Sequence, residues 1–239
     1  MRGLAVILLF ALLAPGPVVG GTPVKDHPGI GGHRAAPGGR DVCWSEPADL
    51  NGMIGSSEQI LRLGIETEMA NDFMIDGGVI TRASWWGGYF ENLDTPCEEL
   101  PPSPGFNLRF YEDANCLPAA LIADLPITDY AEELIDCRWG FVPIYKWSAD
   151  VDIEIDAATR HWFGAQMMDH PFPPQAGRQA AIRITGCQSA FKSAAFGFPD
   201  WTPCEDVFGV AFDVSQEFEC EPPTPVARST WGALRALYR

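Results

Sequence analysis

Carboxylates are the commonest groups in this chain with the means to do chemistry. Glu98-Glu99, Glu112-Asp113, Glu132-Glu133 and the row Asp150, Asp152, Glu154, Asp156 are the material from which a glycosidase builds its pair. That reaction needs two facing carboxyls about 5 to 10 Å apart. Spacing along this sequence selects no such pair. In "ADVDIEID" the acids alternate with Val151, Ile153 and Ile155. They therefore share one face of a strand, a solvated face over a buried one, which also discourages pairing between sheet edges. Loop carboxylates Asp72, Asp76, Asp94 and Asp113 are candidate calcium ligands, since that ion takes hard oxygen donors. No D-x-D-x-D-G loop accompanies them. His161 and His170 are the histidines outside the leader. An Asp169-His170 pair is a possible source of an oriented imidazole, but neighbours along a chain seldom point together. His161, between Arg160 and Trp162, reads as a surface or interface residue. Neither G-x-S-x-G nor H-E-x-x-H occurs, so the common serine-hydrolase and zinc-protease signatures are missing.

Aromatics are the second resource. "ITRASWWGGYF", Ile80 to Phe90, sets two tryptophans side by side and follows them with two glycines. Successive strand residues point to opposite faces, so only one of Trp85 and Trp86 enters a core. The other lies outside unless a loop covers it. Glycine in a strand marks a bulge or a close approach. An outward Trp86 beside bare backbone makes a small platform, with Tyr89, Trp162 and Trp201 as further candidate ligand-binding rings. Rings of this kind stack on sugars. The competing expectation is that a loop such as 91–105 folds over the outer ring, since large aromatics are mostly buried.

Seven cysteines point to disulfides and an oxidising compartment, and the odd number leaves one over. No C-x-x-C occurs, so a zinc ribbon or thioredoxin-type site has no support. Placing Phe106–Glu112 and Ala120–Ile127 as neighbours leads to Cys97–Cys137. Cys187 and Cys204 bracket a loop whose closure is worth about 3 kcal/mol. Cys43 and Cys220 flank the domain, which leaves Cys116 free.

These residues must be positioned by short strands. Candidate strands are Gln59–Glu66, Asp72–Ile75, Ile80–Phe90, Phe106–Glu112, Ala120–Ile127, Val142–Ile155, Arg160–Met168, Ala180–Gly186 and Val207–Val214. In "FNLRFYE" Phe106, Leu108 and Phe110 take one face, while Asn107, Arg109 and Tyr111 take the other. "AAIRITG" repeats the pattern with Ile182 and Ile184 inside. Proline and glycine punctuate the segments and argue against long helices. The expectation is an all-β chain: a single jelly-roll-like β-sandwich of eight to nine strands.

Around that domain, residues 1–20 read as a secretory signal peptide: Arg2, an apolar run from Leu4 to Ala14, then small residues. The run is shorter than the ~20 residues of a membrane span, so no transmembrane span is expected in the mature chain. Residues 21–41, rich in glycine and proline and carrying His27 and His33, read as a disordered linker. The sandwich occupies 42–220. Residues 221–239 are a linker ending in "WGALRALYR", a short amphipathic helix with Trp231 and Leu234 on one face and Arg235 on another, suited to a protein partner. The chain has 16 basic and 32 acidic residues. Removing 1–20 takes away Arg2, leaving 15 against 32, a net of −17. Phosphate backbones repel such a surface, so nucleic acid is excluded as a partner.

"ETEMANDFMIDGGVITRASWWGGYF", "PGFNLRFYEDANCLP", "YKWSADVDI", "HWFGAQMMDHPFPPQ" and "FGFPDWTP" together resemble a group of secreted bacterial β-sandwich modules with a WWGGY and FxxRFYxD pattern. The likeness runs from about Glu66 to Val214, with Asn71-Asp72 where the family pattern has two aspartates. The closing "STWGALRALYR" resembles short W-G-x-x-K-x-L-Y tails of exported proteins, with Arg235 in the lysine position. The resemblance implies export and a sandwich, and it transfers no catalytic residue or cofactor. The expectation is thus a secreted, non-catalytic module at the cell surface or outside the cell, binding an extracellular glycan or a surface protein, or serving a structural role. A carbohydrate-binding module using exposed aromatics is one alternative. A secreted hydrolase with an unidentified site is another.

Overall fold

A computed structural model describes residues 41–90, 95–97, 100, 103–169 and 174–221. The expected signal peptide, nearly all of the leader, Asp94, His170 and the tail from 222 onward lie outside the described residues. Asp41, assigned to the leader, already belongs to the first strand.

The chain is all-β. One sheet contains β1 (Asp41–Glu46), β2 (Ile54–Ser56), β6 (Gly78–Phe90), β9 (Ala131–Arg138), β10 (Val142–Ile155), β12 (Gln175–Gln179) and β15 (Gln216–Glu221). Its order is β1-β15-β6-β10-β9, with β12 joining β6 to β2. The facing sheet contains β5 (Glu68–Phe73), β7 (Phe106–Asp113), β8 (Pro118–Ile127), β11 (His161–Met167), β13 (Ala190–Ser193) and β14 (Phe198–Pro203), in the order β14-β13-β5-β11-β7-β8. A small hairpin of β3 (Gln59–Ile60) and β4 (Ile65–Glu66), 3₁₀ turns at Leu61–Leu63 and Ala194–Phe196, and one turn of helix, α1 (Cys204–Phe208), complete the described elements. All ladders between these strands are antiparallel. The paths β1-β15-β6-β10 and β5-β11-β7-β8 interleave eight strands between two sheets in the double Greek-key order of a jelly roll.

The core lies between the sheets. Trp85, Trp147 and Phe218 from the first sheet meet Phe73, Phe106, Phe110 and Phe163 from the second. Trp85 packs edge-on to Phe106 with ring centroids 4.9 Å apart. Burial of each large apolar side chain contributes about 2–3 kcal/mol. The tryptophan doublet divides as strand alternation requires. Trp85 sits opposite Trp147 in the core, and Trp86 sits opposite Lys146 on the outer face.

The two glycines do not build a platform. A side chain on Gly88 would strike the Pro143 carbonyl oxygen of β10, and one on Gly87 would strike the Gly177 carbonyl oxygen of β12. The pair lets the backbones on both flanks of β6 approach closely, over Trp147.

Between the sheets runs a buried polar seam. Glu46 accepts from Asn71 Nδ2 at 2.6 Å and Gln216 Nε2 at 2.9 Å. Asp213 accepts the Thr185 and Ser189 amides and so shapes the connection between β12 and β13. Burial pushes Glu46 up to about 8 and Asp213 up to about 7, and on the outward face of β5, against the Cys187 amide, it pushes Asp72 up to about 6. Arg178 is fully buried, with its guanidinium 5.3 Å above the Phe163 ring and Nη2 donating to the Ser215 carbonyl.

Several expectations need correcting. Ala180–Gly186 is not a strand, and Ile182 is 65% exposed, because Asp213 captures this segment's amides in an irregular loop. Gln59–Glu66 breaks into a hairpin around a 3₁₀ turn closed by Gly64 in the left-handed region. Val207–Val214 contains the end of α1 rather than a strand. The strand at Asp72–Ile75 begins earlier, at Glu68. Among the described residues the nine expected runs become fifteen strand segments, including the acidic β9.

The pairings Cys43–Cys220 and Cys97–Cys137 are present. Cys187 pairs with Cys116 instead of Cys204, and Cys204 is the buried free thiol. The β7–β8 turn swings Cys116 toward the 187 loop through two consecutive left-handed residues, Asn115 and Cys116.

Candidate functional site

The outer face of the second sheet carries a groove of about 580 Å³. Its residues follow from the alternation of β5, β7 and β13, whose odd-or-even partners fill the core. Register sets Lys192 of β13 beside Glu68 of β5, and Gly164 of β11 beside Arg109 of β7, which in turn faces Asp124 of β8. A side chain at Gly164 would strike Glu68 Oε1. Its absence lets Glu68 lie across β11 and accept the Tyr111 hydroxyl at 2.7 Å and Arg109 Nη1 at 2.8 Å. Arg109 also reaches Gln166 Oε1 at 3.2 Å and, through Nε, Asp124 at 3.2 Å.

Burial pushes the Glu68 carboxyl up, and Arg109 and Tyr111 pull it back. Burial is the largest single influence and works against the Arg109 charge, but Glu68, Tyr111 and Asp124 together outweigh it and keep the guanidinium protonated. The Tyr111 phenol is pushed up by burial and by Glu68. The groove floor is thus a held ion pair whose donors are already aimed. Trp201, half-buried, stands nearly perpendicular to Tyr111 with centroids 5.5 Å apart. Lys192 Nζ lies 5.7 Å from the centre of the Trp201 ring. Pro199, Ala194 and Ala195 lie on the wall beside Trp201, and Ala119 and exposed Leu121 come from β8.

The expected ligand-binding rings do not converge. Trp201 alone among them lines the groove. Trp86 lies on the outer face of the other sheet, half-buried under Lys146, whose Nζ is 4.7 Å from its ring centre and pairs with Glu217. Tyr89 is 3% exposed in the core, so it has no free ring face. Trp162 points outward from β11, yet it is fully buried. Its Nε1 donates to Asp113 at 2.8 Å, and the Cys116–Cys187 disulfide holds the 187 loop beside it.

The calcium candidates also separate. Asp72 is buried and bonded to Arg160 Nε at 2.8 Å and to the Cys187 amide, and Asp113 is used by Trp162. Asp76 is exposed, and Asp94 lies outside the described residues. Among the described residues no three His, Cys, Asp or Glu side chains gather as a metal site. His161 is buried against Phe73, with ring centroids 5.8 Å apart, and burial pushes its imidazole down. Asp169 of the Asp-His pair accepts the Leu61 amide.

Glu68, Arg109, Tyr111 and Lys192 line the candidate groove without belonging to any chemical motif of the sequence. Their signal was the outward face of "FNLRFYE", where Arg109 and Tyr111 already stood together.

No helix among the described residues is long and apolar enough to cross a membrane. No family model matches the chain, no curated protein is significantly similar to it, and no solved structure matches it.

Proposed function

We propose that this chain is an exported, non-catalytic β-sandwich module that binds carbohydrate in the groove on its second sheet. The observation that carries the reading is Trp201, half-exposed and braced by Tyr111, above a floor where Arg109 is fixed between Glu68 and Asp124. A sugar ring has an apolar face for an aromatic and hydroxyls for charged hydrogen-bonding groups. Such sites work by being formed in advance, with few polar groups accurately placed. Both Glu68 oxygens already accept hydrogen bonds, which suits a carboxylate that orients Arg109 and Tyr111. The three disulfides support an oxidising compartment, at the cell surface or beyond it.

A glycan array with wild type, Trp201→Ala and Trp86→Ala tests the reading. Binding by wild type, lost in Trp201→Ala and kept in Trp86→Ala, supports it. Loss in Trp86→Ala alone would move the site to the other sheet. No glycan bound by folded wild type would reject the carbohydrate assignment.

A further inference from the structure

Building on the carbohydrate reading, we propose that the groove selects acidic sugars, and that Lys192 with the free edge of Arg109 recognises a uronate carboxylate. Cations are scarce in a chain with 16 basic against 32 acidic residues, and several of the described ones are already ion-paired. Arg82 pairs with Asp150, Lys146 with Glu217 and Arg160 with Asp72. Lys192 lines the groove opposite Glu68 in register, forms no ion pair among the described residues, and holds its Nζ near the Trp201 ring. Arg109 spends Nη1 on Glu68 and Gln166 and Nε on Asp124. Its Nη2 has no partner among the described residues. One cation at the Trp201 wall and a second on the floor thus line the same groove.

A uronate ring matches this set in three ways. Its carboxylate satisfies the cations, its C–H face covers Trp201, and its hydroxyls donate to Glu66, which also lines the groove. A small inorganic anion would leave Trp201 and Glu66 unused. Glu68, the acid opposite Lys192 in register, already spends both oxygens on Arg109 and Tyr111.

The test measures retention of the full chain on polygalacturonate, alginate and hyaluronan. The same polymers with their carboxyls reduced to primary alcohols serve as the charge-free comparison. Retention on a native polymer and its loss after reduction is the expected result. Lys192→Met should weaken that binding about tenfold, and Lys192→Arg should restore most of it. Lys192 is exposed, so an unchanged melting temperature in both variants confirms that the fold is intact. Equal retention on native and reduced polymers would overturn the acidic-sugar assignment and leave the carbohydrate reading standing. Binding of neutral glycans alone would do the same. No retention on any polymer, together with an empty glycan array, would remove both.

Discussion

Gly88→Ala tests the account of the paired glycines. Gly88 sits opposite Ile144 on one flank and Gly177 on the other. An added methyl would overlap the Pro143 carbonyl oxygen and lie 3.5 Å from Ile144 Cα. Both neighbours are backbone, so no side chain can swing aside. Relief requires β10 to withdraw from β6. That costs at least two ladder hydrogen bonds at ~1 kcal/mol each, and it loosens the facing pair Trp85 and Trp147. With about 1 kcal/mol for that repacking, the loss comes to about 3 kcal/mol.

For a domain of this size such a loss lowers the melting temperature by ~6–12 °C. In urea it moves the midpoint by about 1.5 M at a slope near 2 kcal/mol/M. Gly140→Ala is the comparison, because nothing lies within 4 Å of its added methyl and only its left-handed φ of +84° opposes the change. It should cost ~1 kcal/mol. The assay is urea unfolding of the disulfide-intact chain followed by tryptophan fluorescence. A Gly88→Ala protein as stable as Gly140→Ala, or within ~0.5 kcal/mol of wild type, would refute the close-approach explanation.

Four further outcomes are expected. Glu46, Asp213 and Asp72 are all raised in the folded state, so their share of stability is present in acid and lost as pH climbs through about 6, 7 and 8. The melting temperature should therefore be higher at pH 5 than at pH 8.5, and a curve rising toward alkali would contradict the seam. Arg109→Met leaves Glu68 buried without its cation and should cost ~3 kcal/mol at pH 8. Part of that loss should return at pH 5 as Glu68 takes a proton, whereas a pH-independent loss would point to packing alone. Cys204 is buried and its thiol is pushed above its usual range, so alkylation of native protein should leave it unmodified until denaturant is added. Peptide mapping should recover Cys116 joined to Cys187, and a Cys187–Cys204 peptide would overturn that assignment.

The sandwich could be read from the chain because period-two runs such as "FNLRFYE" and "ADVDIEID" carry their own face assignments. Trp85 and Trp86 went to opposite faces for the same local reason. "AEELIDCR" hid β9, since an edge strand facing solvent needs no apolar alternation. Ile182 and Ile184 misled in the opposite direction. Their spacing was strand-like, but Asp213, distant along the chain, took the amides. Trp162, expected as a ligand-binding ring, does point outward from its strand, yet it is covered beside a loop pinned by a disulfide to a residue 71 positions away. The groove was half visible: Arg109 and Tyr111 shared a face, while Glu68 entered only through the gap that Gly164 leaves. Local periodicity orients side chains, and only the assembled sheets decide which of them are roofed over.

The Cys43–Cys220 bond has a mechanical consequence. It closes a loop spanning 177 positions and ties the first strand to the last. Tension applied between the polypeptide upstream of Cys43 and that downstream of Cys220 passes through one covalent link and bypasses the jelly roll. The enclosed chain, ~600 Å long if drawn out straight, is shielded from that load. A module built this way can serve as a rigid bead in a stretched tether, holding its groove in shape under pull until a reductant cuts the bond.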